Sequence, residues 1–148
     1  MFRDCKKYTL LLFILFFQKS FCQSQHFNYK ELDTLLKYGK NYSALQVISS
    51  YDTLQLKNYD LGLLHFYKAK CFTSENNNAK AFLNFLKAKK EFYVIDSIDK
   101  AMSINLDIAF FLGTDKNNRK KAEKYVKDYL NYALKEGKTK AIAKAYSS

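Results

Sequence analysis

Apolar side chains recur every three or four residues along most of the chain, which is the spacing of one face of an α-helix. In residues 28–38 and 42–51 this pattern predicts two helices, and Gly39 between them is a residue that commonly ends a helix in the left-handed conformation. Asn41 is expected to cap the second helix by accepting a hydrogen bond from a free backbone amide. The apolar stripes of the two helices are Leu32, Leu35 and Leu36, then Ala44, Val47, Ile48 and Tyr51.

Two longer helix pairs follow, at residues 61–72 and 79–93 and at residues 97–112 and 119–137, and residues 140–148 begin a further helix. Gly113 and Gly137 are expected to end the two helices of the third pair. The helix at 97–112 is apolar on more than one side, which indicates that neighbours cover it on more than one side. The pattern therefore predicts an all-α fold of stacked antiparallel helix hairpins, about three hairpins plus the start of a fourth.

The tract Asn76–Asn78 lies between the two helices of the middle pair. Asparagine tolerates the left-handed backbone that glycine usually supplies, so Asn76 is expected to turn the chain there. Asn77 or Asn78 can then accept a hydrogen bond from the first free amides of the next helix. We interpret the tract as a helix–helix corner and not as a chemical site or a flexible tether.

Alanine recurs at the same place after each corner. Ala44, Ala81 and Ala122 are separated by 37 and 41 residues, and a large apolar residue stands four positions after each of them: Ile48, Phe85 and Val126. A helix pair that recurs at this period is the sequence signature of a solenoid, in which each pair buries its apolar face against its neighbours.

The best unit, residues 62–95, resembles a tetratricopeptide repeat. Ala69 and Phe72 match the small and aromatic positions of that family's first helix, and Ala81, Phe85 and Ala88 match those of its second helix. The units at about 25–58 and 96–137 match more loosely, and the family's frequent tryptophan and proline are absent. A generic array of helical hairpins or a compact helix bundle are the alternatives. The residues expected at the repeat contacts are Ala69, Phe72, Ala81, Phe85, Ala88, Ala122 and Val126.

The resemblance implies a right-handed superhelix in which the first helices of the pairs line a concave groove. Phe66 and Lys70 in the middle pair, and Leu106 and Phe110 in the third, would then face this groove. Such grooves usually hold a peptide or another protein, and these four residues are the candidate binding site that the resemblance implies.

Residues 1–22 read as a signal peptide. Arg3, Lys6 and Lys7 form a basic start, residues 8–17 are uncharged and apolar, and the small residues Ser20 and Cys22 suit a signal-peptidase site. Cleavage after Cys22 would leave residues 23–148 as the exported domain, periplasmic or secreted. Lipidation of Cys22 is a less favoured alternative, because Phe21 before it is not small. An uncleaved anchor is disfavoured, because ten residues span about 15 Å as a helix.

Composition agrees with a helical domain, since hydrophobic residues make up 48% of the chain and there are four glycines and no proline. The formal charge is +11 for the whole chain and +8 without residues 1–22, which carry four basic and one acidic side chain. A basic balance fits nucleic acid, a membrane surface or an acidic partner, and the AT-rich codons shared by Lys, Asn, Tyr, Phe and Ile would alone produce it. Export argues against nucleic acid. The expected partner is a peptide or protein, with an acidic one among the options, and no stable membrane insertion is expected after signal cleavage. The basic residues between 116 and 127 are interpreted as a solvated helix face.

Chemistry-bearing residues are few. His26 and His65 have no partner at metal-ligand spacing, and Cys71 stands in a helical pattern typical of a buried small hydrophobe. Asp96 and Asp99 fall where the helix macrodipole favours acidic residues. No catalytic, cofactor-binding or metal-binding residue is predicted.

Two functions fit these patterns. The first is an exported, non-enzymatic scaffold for protein–protein interaction. The alternative is the N-terminal extracytoplasmic sensor region of a longer bacterial signalling protein, a sensor kinase or a transcriptional regulator. It is suggested because the pattern of a fourth unit begins before Ser148 with no polar capping helix after it.

Overall fold

A computed structural model of the protein describes residues 27–147, and this part of the chain is helical with no β-strand in it. The all-α prediction is thus confirmed for the described residues. The helices are α1 (Tyr29–Lys37), α2 (Asn41–Ser49), α3 (Asn58–Ser74), α4 (Asn78–Val94), α5 (Ile98–Gly113), α6 (Arg119–Lys135) and α7 (Thr139–Tyr146), with a short 3-10 turn at Lys116–Asn118 between α5 and α6.

Helices that follow one another along the chain pack side by side. The most extensive interfaces are α3 with α4 and α5 with α6, and smaller ones join α4 to α5, α2 to α3 and α1 to α3. Corners of a few residues separate most of the helices, so neighbouring helices run in opposite directions. Within residues 27–147, no helix combines the length and the apolar character needed to cross a membrane.

The recurring alanines occupy the same position in three helices. Ala44, Ala81 and Ala122 are each the fourth residue of α2, α4 and α6. They are 0%, 0% and 8% exposed, respectively, and all three belong to one apolar core. A methyl side chain at this position takes up little room, so α2, α4 and α6 can lie close to the helices they pack against.

Four corners share one helix-ending geometry. The amide that follows the left-handed residue donates to the carbonyl five residues earlier, as Asn77 does to Phe72 at 2.9 Å. The amide of the left-handed residue itself donates to the carbonyl three residues earlier. Together the two bonds satisfy carbonyls that a helix end leaves free. The left-handed residues are Gly39, Asn76, Asp96 and Gly137, with φ of 68°, 57°, 56° and 63°.

The asparagine tract is a corner, as the sequence predicts. Asn76 has the left-handed backbone, and the side chain of Asn77 accepts a hydrogen bond from the amide of Lys80 at 3.4 Å. Helix α4 begins at Asn78. The interpretation of this tract as a turn and helix cap is confirmed.

Two other expectations about helix ends differ from the structure. Asn41 was expected to cap α2, but it is the first helical residue and Lys40 precedes it without a side-chain cap. The prediction is wrong because the left-handed Gly39 lets the helix start one residue earlier. Gly113 ends α5 but has no positive φ; the 3-10 turn makes this corner instead.

Gly62 lies where α3 packs against α4. It is buried inside α3, and a β-carbon placed on it would lie 3.0 Å from two ring carbons of Phe92. Phe92 is itself 0% exposed, and its ring packs edge-on against Tyr59 with centroids 5.4 Å apart. The absence of a side chain at Gly62 is therefore what allows the phenylalanine ring to fill this interface.

Candidate functional site

The first helices of the three pairs, α1, α3 and α5, line one open groove with a volume of about 460 Å³. Its walls carry positively and negatively charged side chains, two hydroxyl groups and exposed apolar surface. The lining residues are Asp33, Leu36, Lys37, Lys70, Thr73, Ser74, Phe85, Asp107, Phe110 and Phe111, of which Phe85 comes from α4. We call this surface the groove.

Lys70 stands over an aromatic ring on its own helix. Its Nζ lies 5.2 Å from the centroid of Phe66, and the Nζ of Lys100 on α5 lies 5.6 Å from the same centroid. An ammonium group is attracted to the face of an aromatic ring at such distances. Phe66 is half-buried and also packs against Tyr67 and Phe85. Both lysines therefore approach this ring, and of the two only Lys70 lines the groove.

Asp107 is a partly buried carboxylate in the wall of the groove. Burial raises its pKa above the usual value, because the charged form loses hydration there, and Lys70, Lys144 and Lys100 oppose the shift. Lys70 thus faces solvent beside an internal acidic group. A carboxylate brought by a ligand would compete with Asp107 for the same lysines.

Asp33 of α1, the second acidic group of the groove, is hydrogen-bonded by a tyrosine of α3. The hydroxyl of Tyr67 donates to Oδ1 of Asp33 on α1 at 2.6 Å, and burial, together with this hydrogen bond, raises the pKa of Tyr67. The bond fixes α1 beside α3. The hydroxyls of Thr73 and Ser74 donate to helix carbonyls, which leaves their oxygen lone pairs available to a ligand.

The four candidate groove residues have different positions. Lys70 and Phe110 line the groove, and Phe110 is 78% exposed. Phe66 lies beneath Lys70, outside the lining. Leu106 has no surface to offer a ligand: it is 5% exposed and packs with Tyr129 of α6 and Ala145 of α7. Its assignment to the groove is wrong, because α7 folds back over this side of α5.

The residues expected at repeat contacts lie in or against the main core. Five of the seven are buried, and the other two, Phe72 and Val126, are partly buried against the same core. The exposed fractions of the buried set are 0% for Ala69, Ala81 and Ala88, 2% for Phe85 and 8% for Ala122.

Three charged residues of the groove were not singled out from the sequence: Asp33, Lys37 and Asp107. Each is one of several charged residues on an amphipathic helix, a pattern that is typical of a solvated face. The available signal was the forty-residue offset between the starts of α3 and α5, which aligns Asp107 with Tyr67. That spacing reveals a shared wall only once the three helices are known to lie side by side.

The remaining chemistry-bearing groups do not converge on the groove. His65 lies 3.3 Å from the amide oxygen of Asn84, and burial lowers its pKa. Cys71 is buried with a pKa raised to about 11, mainly by burial. Asp99 accepts hydrogen bonds from Lys138 and Tyr132, which hold its pKa below the usual range, whereas Asp96 is a corner residue. His26 lies outside the described residues.

No group of three His, Cys, Asp or Glu side chains within residues 27–147 could hold a metal ion. The groove offers ammonium groups, carboxylates and an exposed aromatic ring, a combination suited to holding a ligand by charge and apolar contact. The chain matches no protein-family model, no curated protein and no solved structure.

Proposed function

We propose that the protein is a non-enzymatic interaction scaffold that binds a peptide or a protein segment in the groove. The single observation that carries this proposal is that α1, α3 and α5, each the first helix of a pair, contribute side chains to one groove. A surface assembled from three separate helices suits an extended ligand that runs across them.

The finer fold proposal is a tetratricopeptide-like stack of helix hairpins. Two features support it. Helices α3, α4 and α6 have 17 residues each and α5 has 16, so the middle and third pairs are nearly equal in length. Ala69 and Ala109 are each the twelfth residue of their helix, and both are buried. Equal units with small residues at equal positions are expected of a repeat.

The groove chemistry favours a ligand with acidic and apolar side chains. Lys37 and Lys70 can pair with carboxylates, and the exposed ring of Phe110 gives an apolar residue a surface to pack on. Asp33 and Asp107 can accept hydrogen bonds from backbone amides of the ligand. An acidic peptide or an acidic segment of a protein is therefore the proposed partner.

The proposal places the scaffold outside the cytoplasm. Its support is the basic, apolar and small-residue order of residues 1–22, which lie outside the described part of the structure. Cleavage after Cys22 remains the proposed maturation step, with lipidation of Cys22 as the less favoured route.

Two charge reversals test the groove. Lys70 lines it, whereas Lys87 is an exposed residue of α4 outside the lining. Peptides selected on the wild-type protein from a random display library would be titrated against Lys70→Glu and Lys87→Glu at two salt concentrations. We expect Lys70→Glu to weaken binding about tenfold and Lys87→Glu to leave it nearly intact. Equal losses of affinity for the two variants, with a steep salt dependence, would refute the groove as the binding site and indicate nonspecific binding to a charged surface.

A further inference from the structure

The outward side of α4, which faces away from α3 and α5, carries exposed apolar residues. The five buried residues of this helix lie on its inward side, and a row of positions three or four residues apart forms the opposite side. In this row Leu83, Leu86 and Val94 are 52%, 38% and 61% exposed. The complete row, which we call the stripe, is Ala79, Leu83, Leu86, Lys90 and Val94, and all five residues are exposed.

The corresponding row of α6 is polar. Ala81 and Ala122 are the fourth residues of α4 and α6, so positions 41 residues apart correspond in the two helices. Leu83 thus corresponds to Lys124. An outward helix face is ordinarily polar, as in α6, and the stripe of α4 departs from this pattern. The row of α6 is Lys120, Lys124, Lys127, Asn131 and Lys135, and all five residues are exposed.

Helices α4 and α6 lie side by side with their rows facing the same way. Both pack inward on α5, and they meet where the rings of Phe82 and Tyr125 lie 6.4 Å apart between centroids. The Nζ of Lys89 on α4 also lies 5.9 Å from the centroid of Tyr125. The lysine row of α6 therefore runs beside the stripe.

The charges around the stripe are mostly positive. Lys80 and Lys87 border it on the side away from α6, and every exposed charged residue of α4 is a lysine. The acidic residues Glu123 and Asp128 lie outside the row of α6. A second copy would bring its own lysines against these lysines, which is unfavourable. The occupant that fits the stripe therefore combines an apolar phase with negative charge.

We propose that the stripe is a docking surface for an anionic lipid membrane, with Leu83, Leu86 and Val94 against the acyl chains and the neighbouring lysines among the phosphate headgroups. A helix that lies in the membrane interface binds in this way, through buried apolar area and attraction to anionic lipids. Lys90 can extend its aliphatic stem along the apolar residues and keep its ammonium group at the level of the headgroups.

The spread of the charge favours a membrane over an acidic helix of another protein. The lysines stand on two neighbouring helices, so a plane of headgroups meets all of them, whereas one acidic helix would meet only part of them. Docking of this kind is peripheral and requires no membrane-spanning helix. The inference goes beyond the groove and does not depend on it, because no residue of the stripe lines the groove.

A tryptophan placed in the stripe reports the contact, because the chain has no tryptophan of its own. Leu83→Trp places this reporter in the stripe, and Phe110→Trp places it in the groove, where Phe110 is 78% exposed. Fluorescence of each full-length variant is recorded with vesicles of equal parts phosphatidylglycerol and phosphatidylcholine. The signal is specific to its position, so attachment through the apolar residues 8–17 would not imitate it.

We expect the emission of Leu83→Trp to shift to the blue with these vesicles and to be quenched by brominated acyl chains, because the indole enters the interface. Phe110→Trp should show neither change. Unchanged emission from Leu83→Trp, or equal changes at both positions, would overturn the proposal. Vesicles of phosphatidylcholine alone should bind at least about tenfold more weakly, and equal binding would overturn the role of headgroup charge.

Two pairs of charge reversals, made in the Leu83→Trp protein, test the lysines. Lys87→Glu with Lys90→Glu changes the charge at the stripe, and Lys37→Glu with Lys70→Glu makes the same change in net charge at the groove. We expect the first pair to raise the lipid concentration that gives half of the blue shift at least about tenfold. The second pair should change it less than about threefold, since salt screens charges on the far side of the protein. Equal effects of the two pairs would indicate general attraction of a basic protein and overturn the stripe.

Two further measurements identify other occupants. Polyglutamate offers negative charge without an apolar phase, and we expect it to leave the emission of Leu83→Trp unchanged; a shift equal to that with vesicles would identify an acidic polypeptide and overturn the membrane. Without vesicles, the emission should be that of an exposed tryptophan. Emission typical of a buried tryptophan would overturn the proposal, with sedimentation as a dimer identifying a second copy and sedimentation as a monomer identifying a segment of the same chain.

Discussion

Replacing Gly62 with alanine adds one methyl group between α3 and α4, and two opposite effects decide the result. Alanine favours a helix interior over glycine by about 0.8–1 kcal/mol. The new β-carbon, however, would lie 3.0 Å from two ring carbons of Phe92 and 3.3 Å from the β-carbon of Glu91. Carbon atoms in comfortable contact are about 3.5–4.0 Å apart, so the ring or the helix has to move.

The ring has little freedom to move. Phe92 is 0% exposed and packs edge-on against Tyr59. Overpacking of a filled core costs about 1–3 kcal/mol, which exceeds the gain in helix propensity in most of that range. We therefore expect Gly62→Ala to lower the free energy of unfolding by about 1 kcal/mol, although alanine is the better helix former.

Urea denaturation of Gly62→Ala and Gly113→Ala measures the two effects separately. Gly113 is also helical, but an added β-carbon meets no atom within 4 Å, so we expect a gain of up to about 1 kcal/mol there. In a Phe92→Leu background, Gly62→Ala should cost less than in the wild type, because the smaller side chain relieves the contact. A similar rise in the urea midpoint for both glycine variants would refute the close packing at Gly62.

Four further predictions address the core, a corner, pH and export. Ala81→Leu should overpack the second helix of the middle pair and cost about 1–3 kcal/mol, and an unchanged denaturant midpoint would place this residue at the surface. Gly137→Ala should cost about 1–2 kcal/mol by urea titration, because φ of 63° strains an alanine; a neutral result would show that this corner is not left-handed. Burial raises the pKa of Asp107 in the folded state. Its contribution to stability is therefore full below the ordinary pKa of an aspartate in the unfolded chain and is lost as the pH rises through the higher pKa of the folded state. Asp107→Asn should therefore raise the urea midpoint at pH 7 relative to wild type and lose this advantage toward pH 4, and an equal difference at both pH values would contradict it. Intact mass of protein recovered outside the cytoplasm should correspond to a chain that starts at Gln23, whereas a cytoplasmic product that retains Met1 would contradict export.

Local features of the fold could be predicted from the sequence because they depend on neighbouring residues. The left-handed Asn76 and the cap at Asn77 follow from the intrinsic preferences of asparagine. Asp96 takes the same left-handed geometry, but it was interpreted as an acidic residue near a helix start. Aspartate serves both roles, and only the backbone at the end of α4 distinguishes them.

The candidate site was harder to predict because it depends on contacts between distant helices. Lys70 and Phe110 line the groove, and both positions follow from helix spacing within the two pairs; their role in binding stays a prediction. Leu106 was misplaced because α7, more than thirty residues later, covers it. Asp107 was missed because one acidic residue on a helix carries no motif. Its surroundings are set by lysines on α3, α5 and α7.

The packing of each helix mainly against its neighbours in sequence has a consequence for how the protein opens. Few contacts join distant parts of the chain, so the entropy of closing long loops weighs little on folding, and folding should be fast for a domain of this size. The end helices α1 and α7 have much smaller interfaces with their neighbours than α4 has and should open first, α1 with loss of the Tyr67–Asp33 hydrogen bond to α3. Amide hydrogens should therefore exchange in a graded order from both ends toward α3 and α4, so that the groove, which includes α1, loosens before the centre of the protein unfolds.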